Sequence, residues 1–289
     1  MWLACRISLS YVLPVPPVPV GTSIVTATTP APAFLKFYAP EESGSVKLAR
    51  TSEDIERFES LIQYAKSAET ITEENFQWLE KATTPWLAQQ LGVYAEHLER
   101  DGQATVAARV AWLGVLAAKW VRDDAKYYLA NLLTAGNMWL KLGAQATHSN
   151  GIDAARGFFE AILHLAAHEQ RKERLGAHVG MASYYGLVED YVGAAFHVDR
   201  YLPYIDEIVP RQQHQTVYGQ AARIYGKVQD IPGLLFCCER LGKPLPPASQ
   251  LSAQSLDAVL MTVARLNSLG SNQTAFRIMS EFKSRNRSA

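Results

Sequence analysis

Glu160, His164 and His168 recur every four residues, so on a helix the three potential metal ligands would share one stripe. A metal-dependent catalytic site there would need further ligands and a positioned base. The stripe lies partly opposite Phe158, Ile162 and Leu165, and a solvated helix face is the expectation for it. The other reactive pair is Cys237-Cys238, which lacks the C-x-x-C spacing of zinc ribbons and redox motifs and follows Leu235 and Phe236. Such neighbours point to a buried core pair. With Cys5 the chain has three cysteines, too few for a disulfide framework and suited to a reducing interior. No G-x-x-x-x-G-K-[ST], G-x-S-x-G, H-E-x-x-H or G-x-G-x-x-G occurs. No catalytic residue, metal or cofactor is therefore expected, and a metal-dependent enzyme built on the histidine stripe is the remote alternative.

Nucleobase stacking is the second chemistry available. Trp78, Trp86, Trp112, Trp120 and Trp139, with Tyr127-Tyr128 and Tyr184-Tyr185, supply the rings for it. They recur at helical spacing beside Leu and Ala, so packing between helices is the expected role. Charge is zero overall but uneven. Residues 41–100 hold 12 acidic and 6 basic side chains, whereas residues 211–289 hold 4 acidic and 10 basic. A basic end of this kind can meet an anionic partner or simply form a solvated surface.

These residues must be positioned by helices. The chain has 289 residues, 48% of them apolar and 19% charged, which excludes a wholly disordered, collagen-like or polytopic membrane protein. Residues 1–45 form a Pro/Thr-rich leader. Seven prolines fall before Glu41 and break any run long enough to span a membrane. No acidic residue precedes Glu41, and hydroxyl residues follow an apolar start, as in an organelle transit peptide. A secretory signal ending near Ala31-Pro32-Ala33 and an ordinary disordered arm are the alternatives, and residues 1 to about 40 are expected to be absent from, or disordered in, the mature protein. Residues 46–289 read as one all-helical repeat domain. No proline lies between Pro85 and Pro203, and apolar residues recur at three- and four-residue spacing. Thr51-Ser52-Glu53-Asp54 reads as a capping box, and Thr84-Pro85 as an N-cap followed by an N1 proline. Asp101-Gly102 separates helices 86–100 and 104–120, and Ser149-Asn150-Gly151 separates helices 125–142 and 152–168, predicting antiparallel pairs.

Aligned on their second helices, the pairs repeat. Turn residues stand five positions before Ala155, Ala194, Leu234 and Ala275, which are 39, 40 and 41 residues apart. Small side chains there permit close helix crossing, and Phe159, Val198, Cys238 and Met279 follow four residues later on the same face. Trp139-x-x-Leu142-Gly143 with Gly151, Ala155 and Phe159 resembles a tetratricopeptide unit. Three segments, Tyr184–Tyr191, Tyr225–Ile231 and Leu266-x-x-Leu269-Gly270-x4-Ala275-x3-Met279-x2-Phe282, resemble pentatricopeptide units. The resemblance spans residues 125–289, the region of clearest repeats, and implies a right-handed α-solenoid.

Pentatricopeptide proteins read single-stranded RNA one base per repeat, and the resemblance would put their first-helix readers near Lys141, Gly180, Gln220 and Met261. Gly180 has no side chain and Met261 no strong donor, so a base code is not expected. Arg265, Arg277, Lys283, Arg285 and Arg287 would still serve as phosphate contacts, which require charge alone. The function expected is a non-enzymatic scaffold in an organellar, mitochondrial ribonucleoprotein or ribosome-like assembly, contacting other proteins and RNA. The alternative is a cytosolic tetratricopeptide-type adaptor for a peptide or partner helix.

Overall fold

The computed structural model describes residues 51–67, 71, 73–121, 125–145, 150–167, 170–243 and 256–286. The leader at 1–45, with its candidate import segment, lies outside them. Among the described residues every regular element is helical and no strand occurs. None of these helices is long and apolar enough to cross a membrane. The described residues belong to two compact units, 51–165 and 166–286.

Helix α1 (Ser52–Ser67) of the first unit opens on a reciprocal box. The Asp54 amide donates to Thr51 Oγ1 at 3.1 Å, and the Thr51 amide donates to Asp54 Oδ2 at 2.8 Å. Asp54 is buried and also accepts from Thr84 Oγ1 at 2.9 Å. Burial alone would raise its pKa, but these hydrogen bonds hold the carboxyl below the usual carboxylate range. Thr84 in turn caps α3 (Pro85–Arg100), accepting from the Leu87 amide at 3.2 Å, so one buried carboxylate joins two helix starts. Between these helices lie a 3-10 turn (Glu73–Phe76) and the short α2 (Leu79–Ala82).

Helix α4 (Ala104–Ala118) is apolar around nearly its whole circumference, and eleven of its fifteen residues are buried. It packs against α1, α3 and α5 (Ala125–Gln145), which explains why it needs no polar face. Its one charged residue, Arg109, donates to the carbonyl of Ala65 in the last turn of α1 at 3.3 Å, where a cation also complements the helix dipole. Asn131 on α5 is buried and donates to the carbonyls of Ala88 at 3.2 Å and Tyr127 at 2.8 Å. A Cβ on Gly114 of α4 would stand 2.3 Å from its Oδ1, so this junction requires a glycine there.

Helix α6 (Asn150–Leu165) corrects the boundary expected at Ser149-Asn150-Gly151. Asn150 and Gly151 lie in its first turn rather than ahead of it. Gly151 is spent on helix contact: a Cβ there would approach the Gly143 Cα to 3.1 Å, and one on Gly136 would meet the Phe159 ring at 2.6 Å. The Trp139, Gly143, Gly151 and Phe159 set thus forms a close crossing of α5 on α6, with Trp139, Ala155 and Phe159 buried.

The second unit runs through α7 (Arg171–Leu187), α8 (Tyr191–Tyr201), α9 (Ile205–Ile208), α10 (His214–Lys227), α11 (Ile231–Arg240), α12 (Leu256–Ser268) and α13 (Asn272–Asn286). Consecutive long helices pack in series from α7–α8 to α12–α13. Three of the joints share one backbone form. Glu189, Gln229 and Gly270 occupy the left-handed region at φ 60°, 60° and 81°. The amides of Asp230 and Ser271 return to the carbonyls of Tyr225 and Leu266 at 2.9 Å each, closing the preceding helix. Asp190 and Asp230 then cap the next helix, accepting from the Gly193 amide at 2.9 Å and the Gly233 amide at 3.0 Å. A Cβ on Gly193 would reach the Tyr185 ring at 2.9 Å, and one on Gly233 the Tyr225 ring at 2.7 Å. The two joints 40 residues apart therefore match in backbone, cap and packing, as the sequence period predicts. Ala194 and Ala275 are fully buried in this core, and Leu234 packs against its edge.

Candidate functional surface

Two of the three residues of the histidine stripe, Glu160 and His164, are among the described residues. Glu160 is ion-paired with Arg156 at 2.7 Å, His164 is exposed, and His168 lies outside the described residues. Among the described residues no group of three His, Cys, Asp or Glu side chains is placed to hold a metal ion. Cys237 is buried in the second unit's core and Cys238 is half-buried beside it. Burial, and then the neighbouring Cys238, push the Cys237 thiol up to about 12, which leaves it protonated and unreactive.

Of the aromatic residues read as stacking platforms, Trp112, Trp139 and Tyr184 are buried, Trp86, Trp120, Tyr127, Tyr128 and Tyr185 are half-buried, and Trp78 is exposed. Among the other tyrosines of the second unit, Tyr201, Tyr218 and Tyr225 are buried and Tyr204 is exposed. Tyr204 stacks under Arg171, whose guanidinium carbon lies 4.0 Å from the ring centre.

The cations singled out from sequence divide into two kinds. Lys141 on α5 pairs with Glu99 of α3 at 2.7 Å and is largely covered. Next to that pair, burial pushes the Glu96 carboxyl up to about 7, with Glu99 adding to the effect and Arg100 and Lys141 opposing it. Arg265 on α12 is held from two sides: it ion-pairs with Asp199 of α8, and its guanidinium reaches Asp230 Oδ2 at 3.2 Å. The buried Tyr225 donates its hydroxyl to the same Asp199 carboxylate at 2.6 Å. Burial and then that hydrogen bond raise the Tyr225 pKa, so it remains a donor. Arg265 thus links α8, α10, α11 and α12, a role set by partners 35 and 66 residues away. Gln220 is half-buried on α10. Arg277 and Lys283 project from α13 as exposed side chains, Arg277 lying 3.7 Å from Glu281. Arg285 is also on α13, and Arg287 lies outside the described residues.

One contact absent from the sequence reading joins α7 to α8. His178 Nδ1 lies 2.9 Å from His197 Nδ1, and the Tyr185 ring stacks on His197 at 5.5 Å. Burial, then the facing imidazole, Arg200 and Arg174, push His178 down to about 4, so His178 is held neutral. Nothing in the spacing of two histidines 19 residues apart marks them as partners.

Large apolar side chains also stand in the open. Val192 and Phe196, four residues apart on α8, are 75% and 51% exposed, and Val188 is exposed at the C-terminal end of α7. The Arg200 guanidinium carbon covers one face of the Phe196 ring at 3.8 Å. Met261 on α12 and Phe276 on α13 are 74% and 75% exposed.

Compared with known proteins, the chain matches no protein-family model, no curated protein and no solved structure.

Proposed function

We propose that this protein is a non-enzymatic helical-repeat scaffold, a right-handed α-solenoid of antiparallel pairs like those of tetratricopeptide and pentatricopeptide proteins, which seats a partner protein within an organellar, mitochondrial ribonucleoprotein assembly. The observation that carries this reading is the exposed pair Val192 and Phe196, one helical turn apart on α8. An apolar strip at helical spacing, rimmed by the charges of Glu189 and Arg200, suits a partner helix or groove. RNA contact in such an assembly requires charge alone, without a base code. The acid-free leader supports an organellar address.

The test is sedimentation of the tagged protein from cell extract with and without RNase, beside the variant Val192→Asp with Phe196→Asp. A large particle that shrinks on RNase treatment, and from which the variant is lost, agrees with the proposal. A single protein partner that resists RNase favours the cytosolic adaptor instead, a reading supported by the tetratricopeptide-like crossing of Trp139, Gly143, Gly151 and Phe159. A variant that sediments like wild type removes α8 as the seat.

A further inference from the structure

Two exposed aromatic side chains stand in segments of opposite net charge. On α13, Phe276 stands beside the exposed Arg277 and Lys283. Matching the joint at Gln229-Asp230 to that at Gly270-Ser271 sets Phe276 opposite Leu235. Leu235 is buried on α11, which packs on α12, so Phe276 occupies a position that this architecture elsewhere covers. In the first unit Trp78 is 44% exposed ahead of α2, next to exposed Glu74 and Glu80. Helix α1 adjoins this edge, since Arg57 donates to the carbonyl of Ala82 at 3.2 Å, and Glu56 and Glu59 are exposed elsewhere on the same helix.

We infer that the acidic edge around Trp78 of one copy docks on the basic face around Phe276 of a second copy, head to tail. The charge excess of residues 41–100 is equal and opposite to that of residues 211–289, and each patch centres on one exposed aromatic ring. Aromatic anchors ringed by complementary charge are what a specific protein interface requires. A single-stranded RNA would engage Arg277 and Lys283 through phosphates and Phe276 through a stacked base, so RNA binding is the competing outcome of the test. Because the two patches differ, the contact is heterologous, and each dimer retains one free edge and one free face.

Sedimentation velocity of the full chain over an about hundredfold concentration range tests this, at low and at physiological salt. The average mass should rise with concentration at low salt and fall as salt is added. Phe276→Asp should weaken association at least about tenfold, as should Trp78→Ala. The acid-reversed variant (Glu56→Lys, Glu59→Lys, Glu80→Lys) and the base-reversed variant (Arg277→Glu, Lys283→Glu) should each be monomeric alone and associate when mixed. Circular dichroism identifies any variant that fails to fold, and the remaining variants then decide. A wild type that stays monomeric throughout overturns the inference. So does a self-association that Phe276→Asp leaves intact, a mixture of folded charge variants that stays monomeric, or a monomer that uses Arg277 and Lys283 to bind RNA.

Discussion

Glu96 and His178 are half-buried groups whose charged forms the fold disfavours, and they act with opposite sign over overlapping pH ranges. The folded-state pKa of Glu96, about 7, is raised above its ordinary 4.5, so its contribution is complete below pH 4.5 and is lost as pH rises through 7. Glu96→Gln keeps the site neutral. It should match wild type near pH 4.5 and exceed it in stability by up to about 3 kcal/mol above neutrality, read from urea midpoints at both pH values. The folded-state pKa of His178, about 4, is depressed from 6.5, so its contribution is complete above pH 6.5 and is lost as pH falls through 4. Wild type should therefore lose stability on both sides of a plateau in weakly acidic solution. Equal midpoints for Glu96→Gln and wild type above neutrality would show that Glu96 is solvated. Neither group was legible in the sequence, because its environment comes from a neighbouring helix. Arg265 illustrates the same limit. Its charge suggested a phosphate contact, while Asp199 and Asp230, distant in sequence, determine what it touches.

At the scale of the element, local signals were read well because their causes are local. The Thr51 box, the Thr84 cap and each turn of the 40-residue period rest on residues within a few positions of one another. The turn glycines were read less well. Gly151 serves a helix crossing, and the left-handed positions at the first two joints carry Glu189 and Gln229 in place of glycine. A side chain in the left-handed region costs roughly 1 kcal/mol, part of which glycine's greater chain entropy returns. Gln229→Gly should therefore stabilise by up to about 0.5–1 kcal/mol. Gly233→Ala, which drives a Cβ toward the Tyr225 ring, should destabilise by about 1–3 kcal/mol. Thermal melts of the two variants should move in opposite directions. A stabilising Gly233→Ala would show that the α10–α11 crossing is looser than described.

For the whole molecule, the two compact units each hold a core of their own, built on α4 in one and on the α7–α13 series in the other. Fragments 46–165 and 166–289 should accordingly each give helical circular dichroism and a cooperative melt. A fragment that is unstructured alone would mean that its core is completed by the other. The sequence offered no boundary near residue 165, since helical periodicity continues on both sides of it and no proline-rich linker intervenes.

Arg265 also sets the mechanical character of the second unit. Through Asp199 and Asp230 it clamps the third helix pair to the first as well as to the second. Springs made of stacked helices ordinarily bend at each seam independently, and their compliance is the sum over seams. A clamp spanning two seams makes them bend together, so this segment should behave as a stiff rod. Under tension it should yield in a single step of three pairs, and cutting the clamp with Arg265→Met should turn that step into a staircase.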